Sequence, residues 1–298
     1  MRRWNFDRIL AAVGATAAII AVIYVVLDHK AIGYQRGVMI NRAIEGVSRG
    51  MPTIAQTRWM PTGDELAVVN KAMADLDTIL DGGSNASAYN LKGILYMRRG
   101  EYDNALASFD RARRLYVRKR SSLAIVVNNI GDVWEERCEY RSAEARYRES
   151  LSIKRTSLAL ANLADCLLHQ RRLDEARRYA KEALTLDRMS IGAHFVYAKI
   201  LWQGGETKDA LIEFERAIQI DSRYQPDTHL EFSRALAATG EPDRALDEAS
   251  TAIDIAPSFA EAHSWYAGLL DKKGDATSAK VERQRAVSLM SMRKPGTC

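Results

Sequence analysis

One small residue recurs along this chain with a nearly fixed step. Ala105, Ala143, Ala176, Ala210, Ala245 and Ala279 stand 38, 33, 34, 35 and 34 residues apart, each inside the same local pattern. Twelve positions before each lies a small residue (Gly93, Gly131, Ala164, Ala198, Ser233, Ala267), and nine before it a large apolar one (Tyr96, Trp134, Leu167, Leu201, Leu236, Leu270). A second small residue follows seven positions later (Ala112, Ser150, Ala183, Ala217, Ala252, Ala286). Small residues at fixed offsets let two helices approach closely while large ones fill the gaps between ridges, so each step reads as an antiparallel helix pair. A lone pair cannot bury its apolar face, so neighbours must stack into an array.

The composition agrees. Of 298 residues, 47% are apolar and 27% charged, which excludes a disordered chain, and only 6 are proline, which suits a mostly helical one. The 3 cysteines (Cys138, Cys166, Cys298) lack C-x-x-C spacing, so neither a disulfide framework nor a thiolate zinc site is expected. Cys138 stands in a turn slot usually held by glycine.

These slots closely resemble the tetratricopeptide repeat, whose 34-residue pattern carries Gly and Tyr on a first helix and Ala, Phe and Ala on a second. The resemblance implies an all-α solenoid of about six helix-turn-helix units starting near residues 86, 124, 157, 191, 226 and 260 and running to 292, with a tail at 293–298. Thr62 and Glu65 resemble a capping box, opening a helix that Asp81, Gly82 and Gly83 stop; residues 62–85 are expected to form a capping helix or half-repeat. In the last unit Arg283 takes the aromatic slot filled by Phe109, Tyr147 and Phe214, as a solvent-facing terminal helix requires.

Ahead of the array, after a basic tail (1–8), Ile9 to Leu27 is a run without charge that would span about 28 Å as a helix, close to the hydrocarbon thickness of a bilayer. Arg2, Arg3 and Arg8 precede it and Asp28, His29 and Lys30 close it; a cleavable signal peptide is the rival reading, since Ala31 and Gly33 form a small-x-small pair. The expectation is one N-terminal transmembrane helix, then a juxtamembrane helix and connector (28–61). It places the protein in a bacterial inner membrane with its repeats on the periplasmic side, since translocating the basic tail is costly.

Stacked helix pairs curve, and the concave wall of such solenoids binds partners. The family's inward-facing slots fall here on Asn90, Asn128, Asn129, Asp132, Asn162 and Asp165, then on Phe195, Lys199, Trp202, Arg234 and Trp265. Asn amides can satisfy the backbone of an extended peptide, and aromatics with Arg dominate interface energetics. Family members that hold a chaperone's carboxyl-terminal Glu or Asp use a clamp of Lys and Asn in their first three repeats; the equivalent slots here hold Asn90, Ile94 and Leu158, without the lysines, so that ligand class is not expected. The function implied is a membrane-anchored adaptor for a peptide or helix of a partner protein. The alternatives are a self-assembling scaffold and a non-catalytic accessory factor of cell-envelope assembly.

No P-loop, G-x-G-x-x-G after a strand, H-E-x-x-H or G-x-S-x-G occurs, so no enzyme activity, cofactor or metal is expected. His194, His229 and His263 recur one unit apart in a packing slot. Residues 86–190 carry 21 Lys and Arg against 14 Asp and Glu, whereas 191–298 carry 13 against 16. The basic cluster from Arg111 to Arg120 reads as a solvated helix face before it reads as a nucleic-acid or lipid-headgroup patch, because Tyr116 is its single aromatic and no repeated interleaving supports stacking on bases.

Overall fold

The computed structural model of the protein describes residues 64–81, 83–220 and 226–291. Thirteen helices and no strand occur among them. After α1 (Asp64–Asp81) come six antiparallel pairs: α2 (Ala86–Arg98) with α3 (Tyr102–Leu115), α4 (Arg120–Glu136) with α5 (Tyr140–Ile153), and α6 (Ser157–His169) with α7 (Leu173–Leu186). The remaining pairs are α8 (Ile191–Gln203) with α9 (Thr207–Ile220), α10 (Pro226–Ala238) with α11 (Pro242–Ile255), and α12 (Ala260–Lys273) with α13 (Ala276–Ser291). The extra turn behind the 38-residue spacing lengthens a first helix: α4 has 17 residues where α2 has 13, and it opens at Arg120 rather than near residue 124.

Local chemistry sets the boundaries. Asn85, Thr156 and Ser190 cap α2, α6 and α8, each accepting from the backbone N–H three residues on. Every turn within a pair holds one left-handed residue: Gly100, Cys138, Arg171, Gly205, Gly240 and Gly274. The next residue's N–H reaches back five positions, as from Glu101 to Tyr96 O at 2.8 Å and from Glu139 to Trp134 O at 2.9 Å, closing the preceding helix with a Schellman-type bond.

All six repeat alanines are fully buried, and around them runs the core of the array. One apolar cluster joins α1, α2, α3 and α4; a second continues from α5 through α13, and Trp134 packs against both. The α1 residues Val69, Ala72, Met73, Leu76 and Ile79 enter the first cluster with Leu91 and Leu95 of α2, while Asn70, Lys71, Ala74 and Asp77 face solvent. At the far end only Ala279 and Ala286 of α13 are buried. Successive first helices α2, α4, α6, α8 and α10 touch one another, and no pair of successive second helices comes as close. The first helices therefore form the inner wall.

The expected membrane location is corrected. No helix among the described residues is long and apolar enough to cross a bilayer. The basic tail, the run Ile9 to Leu27 and the juxtamembrane segment, on which the anchor and the membrane as a partner rested, lie outside the described residues. A run of apolar residues limits what a segment can do without fixing where it sits.

Candidate partner-binding groove

The eleven wall residues lie on six successive first helices, but they do not form a uniform row of open side chains. Asn90, Asn128 and Asn129 are each only 2% exposed. The Asn129 amide donates to Asn90 Oδ1 at 3.0 Å, tying α4 to α2. Asn162 donates to Asp132 Oδ1 at 2.9 Å, tying α6 to α4. Lys199 Nζ donates to the Asp165 carboxylate at 2.5 Å, tying α8 to α6, and its ammonium lies 5.2 Å from the buried Phe195 ring. The first part of the polar row is thus a ladder between repeats, where each bond satisfies groups that burial would otherwise leave at a cost of about 1–3 kcal/mol.

Residues outside the sequence expectation complete this ladder. Tyr147 of α5 places its hydroxyl 2.9 Å from Asp132 Oδ1 and 2.6 Å from Glu135 Oε2. The one phenolic proton is directed at two carboxyls at once, so this cluster favours the protonated form of a carboxyl. Burial, the strongest influence, pushes the Asp132 carboxyl up to about 7 against the opposing bonds from Tyr147 and Asn162. Burial also holds Glu135 well above the ordinary carboxylate range, assisted by the negative charge of Asp165. Arg98, buried on α2, has its guanidinium lowered by burial, which the fields of Glu136 and Asp227 offset in part. The one sequence signal for this cluster was Tyr147 itself, a hydroxyl in a slot that holds Phe109 and Phe214 in other units.

Glu135, Asp165 and His169 bring ligand-type atoms within 4.8 Å of one another, but the cation that neutralises Asp165 is the ammonium of Lys199. Of the other two, Glu135 meets the Tyr147 hydroxyl and the His169 ring stacks on Tyr140 with centroids 5.0 Å apart.

The second part of the wall is different. Trp202, Arg234 and Trp265 stand half-exposed on α8, α10 and α12. Trp265 Nε1–H donates to Ser233 Oγ at 2.8 Å, and the Arg234 guanidinium lies 5.8 Å from the Trp265 ring centre while pairing with Glu231 at 2.6 Å. Both indoles pack in part against the core and leave the rest to solvent, the geometry of an aromatic anchor.

His194, His229 and His263 carry out a packing role. Each Nδ1 lies 2.5–2.6 Å from a glutamate nineteen residues on (Glu213, Glu248, Glu282), pinning a first helix to its second.

Models of the tetratricopeptide repeat match residues 84–156 and, in a second form, residues 137–191 and 230–284. The chain is a tetratricopeptide repeat protein. No curated protein matches it. Among solved structures, this array resembles TTC0263 of Thermus thermophilus, a thermophilic TPR protein, with TM-score 0.55 and 17% identity over 62% of this chain and 99% of that one. It resembles PilF of Pseudomonas aeruginosa with TM-score 0.52 and 21% identity over 70% and 93% of the two chains. In the APC/C hetero-tetramer Cut9–Hcn1 the likeness reaches TM-score 0.65 at 12% identity, covering 95% of this chain and 52% of that one. Identities this low speak for the fold. The tetratricopeptide fold is a non-catalytic protein-interaction repeat.

Proposed function

We propose that this protein is an adaptor that holds a segment of a partner protein against the inner wall of its tetratricopeptide array, with α1 as the half-repeat that closes the front of that array. The observation carrying the proposal is the half-exposed sequence Trp202, Arg234, Trp265 on three consecutive first helices. Large rigid aromatics beside a guanidinium yield the most binding free energy per residue at interfaces. Asn162, half-buried and bonded to Asp132, would add a polar contact on the first helix that precedes α8. Asn90, Asn128 and Asn129 act through the ladder, by holding the pitch of the wall.

The test is a photoreactive residue in place of Trp202 in the full-length chain, with the adduct identified by mass spectrometry. A cross-link to one partner segment that disappears on Arg234→Ala with Trp265→Ala supports the adaptor. Adducts only between copies of this chain would favour a self-assembling scaffold, and an unchanged adduct in the double variant would reject this wall as the site.

A further inference from the structure

The turns that connect one repeat to the next lie together on one edge of the array. Arg120 donates to Ile153 O at 2.8 Å and Lys154 to Ser121 Oγ at 2.9 Å, joining the turn after α3 to the turn after α5. Arg155 donates to Glu182 at 2.9 Å and Ser157 to Ala183 O at 3.0 Å, joining the turn after α5 to the end of α7. Ten residues after the repeat alanine, this edge carries Leu115, Ile153 and Leu186, one aliphatic per unit. Leu115 is 47% and Leu186 54% exposed, and beyond them at the turn tips Val117 and Met189 reach 69% and 67%.

Charge on this edge is unbalanced. Its carboxylates are engaged: Asp110 with Arg113, Glu149 with Arg146, Glu182 with Arg155, and Asp187 with the backbone N–H of Met189. Arg114, Arg118 and Arg188 are exposed and have no ion pair among the described residues. Exposed aliphatics in register with uncompensated guanidinium groups are not what a merely solvated edge needs, since each apolar group left in water forgoes burial.

We infer that this edge of the first three repeats is a second docking surface, distinct from the inner wall, for an acidic protein segment bearing aliphatic side chains. Arg114, Arg118 and Arg188 would meet its carboxylates, and Leu115, Val117, Leu186 and Met189 would cover its apolar side chains. The chemistry favours a polypeptide over a phosphate backbone or an anionic bilayer. The one aromatic in this stretch, Tyr116, is buried with its hydroxyl on Ser87, which leaves none to stack on a base, and a uniformly negative surface would repel the four interspersed carboxylates that a peptide can avoid.

The test is fluorescence anisotropy with the full chain and three probes: a labelled amphipathic peptide of glutamate and leucine, vesicles of phosphatidylglycerol and phosphatidylcholine, and labelled oligothymidylate. Binding of the acidic peptide is expected to weaken about tenfold or more when Arg114, Arg118 and Arg188 are all changed to Glu, and to fall with added salt. Val117→Ser with Met189→Ser should weaken it also, while the helical circular dichroism of both variants stays unchanged. The inference is overturned if the peptide fails to bind, if its binding ignores the charge reversals, or if vesicles or oligothymidylate bind in its place. Because these residues lie off the inner wall, the variants leave the Trp202 cross-link intact, so this inference and the adaptor fail separately.

Discussion

At the scale of single residues, the array works by size complementarity. A Cβ on Gly93 would lie 2.6 Å from the Phe109 ring, and one on Gly131 would lie 2.5 Å from the ring of Tyr147. Where the partner slot holds Ala180 or Ala249 instead, the small slot widens to Ala164 or Ser233. Rings packed on all sides cannot move aside, so Gly131→Ala is expected to lower stability by about 1–3 kcal/mol, read as a lower midpoint in urea. Arg171 illustrates the opposite. It holds φ 62° in a turn where four of the six units use glycine, and its side chain is exposed. Arg171→Gly should raise stability by up to about 1 kcal/mol, part of the gain being offset by the freer unfolded chain. The small-residue slots were legible in the sequence because Cβ volume is a property of the residue. The Asn129–Asn90 bond was not, because nothing local tells an amide facing solvent from one facing the next helix.

Elements are held together by protons as well as by methyl groups. Between α8 and α9, His194 Nδ1 meets Glu213 and Nε2 meets the Arg188 carbonyl at 3.0 Å. Burial alone would lower the His194 pKa, but the Glu213 carboxylate and that carbonyl outweigh it, against a smaller opposing effect of Arg216, and the net shift is upward from 6.5. Glu213, which burial alone would raise, is lowered from 4.5 by His194 and Arg216. A raised histidine contributes stability that is complete below its unfolded value and is lost as pH rises through the folded one. A depressed carboxylate contributes stability lost as pH falls through its own. The pair thus holds best between the two. Asp132, pushed up to about 7 by burial and by the charge of Glu136 against the opposing effects of Tyr147, Asn162 and Arg98, adds a loss of the same sign as the histidine: stability falls as pH rises from about 4 through about 7. The expected outcome is a thermal midpoint that declines from pH 6 to pH 8. In Asp132→Asn the slope should flatten and stability at pH 8 should rise by about 1 kcal/mol or more. In His194→Gln the residual slope should shrink again. A pH-independent midpoint in the parent protein would remove both effects.

The whole molecule shows how repetition is put to use. Each unit is braced by its neighbours, and the two ends differ: α1 packs on α2, whereas α13 buries little beyond Ala279 and Ala286. The wall divides in the same direction, with a bonded ladder in the first units and half-exposed indoles in the last. Trp265→Ala is therefore expected to abolish partner capture at the inner wall while costing the fold about 1–3 kcal/mol or less, since the ring is only half-buried; calorimetry beside the cross-linking assay separates these. The exposed basic edge lies in the first three repeats, where the chain carries its excess of Lys and Arg. The sequence by itself determined the helix pairs, their number and their packing slots, because the spacing of small and large side chains dictates which helix faces can approach. Only the tertiary structure decided which polar side chains spend their hydrogen bonds between repeats and which keep them for solvent, because that depends on the distance between helices some thirty residues apart in the chain. It also brought the Tyr147 hydroxyl within hydrogen-bond distance of both Asp132 and Glu135, two carboxyls that burial raises, a meeting that arises only where folding removes water from three groups at once.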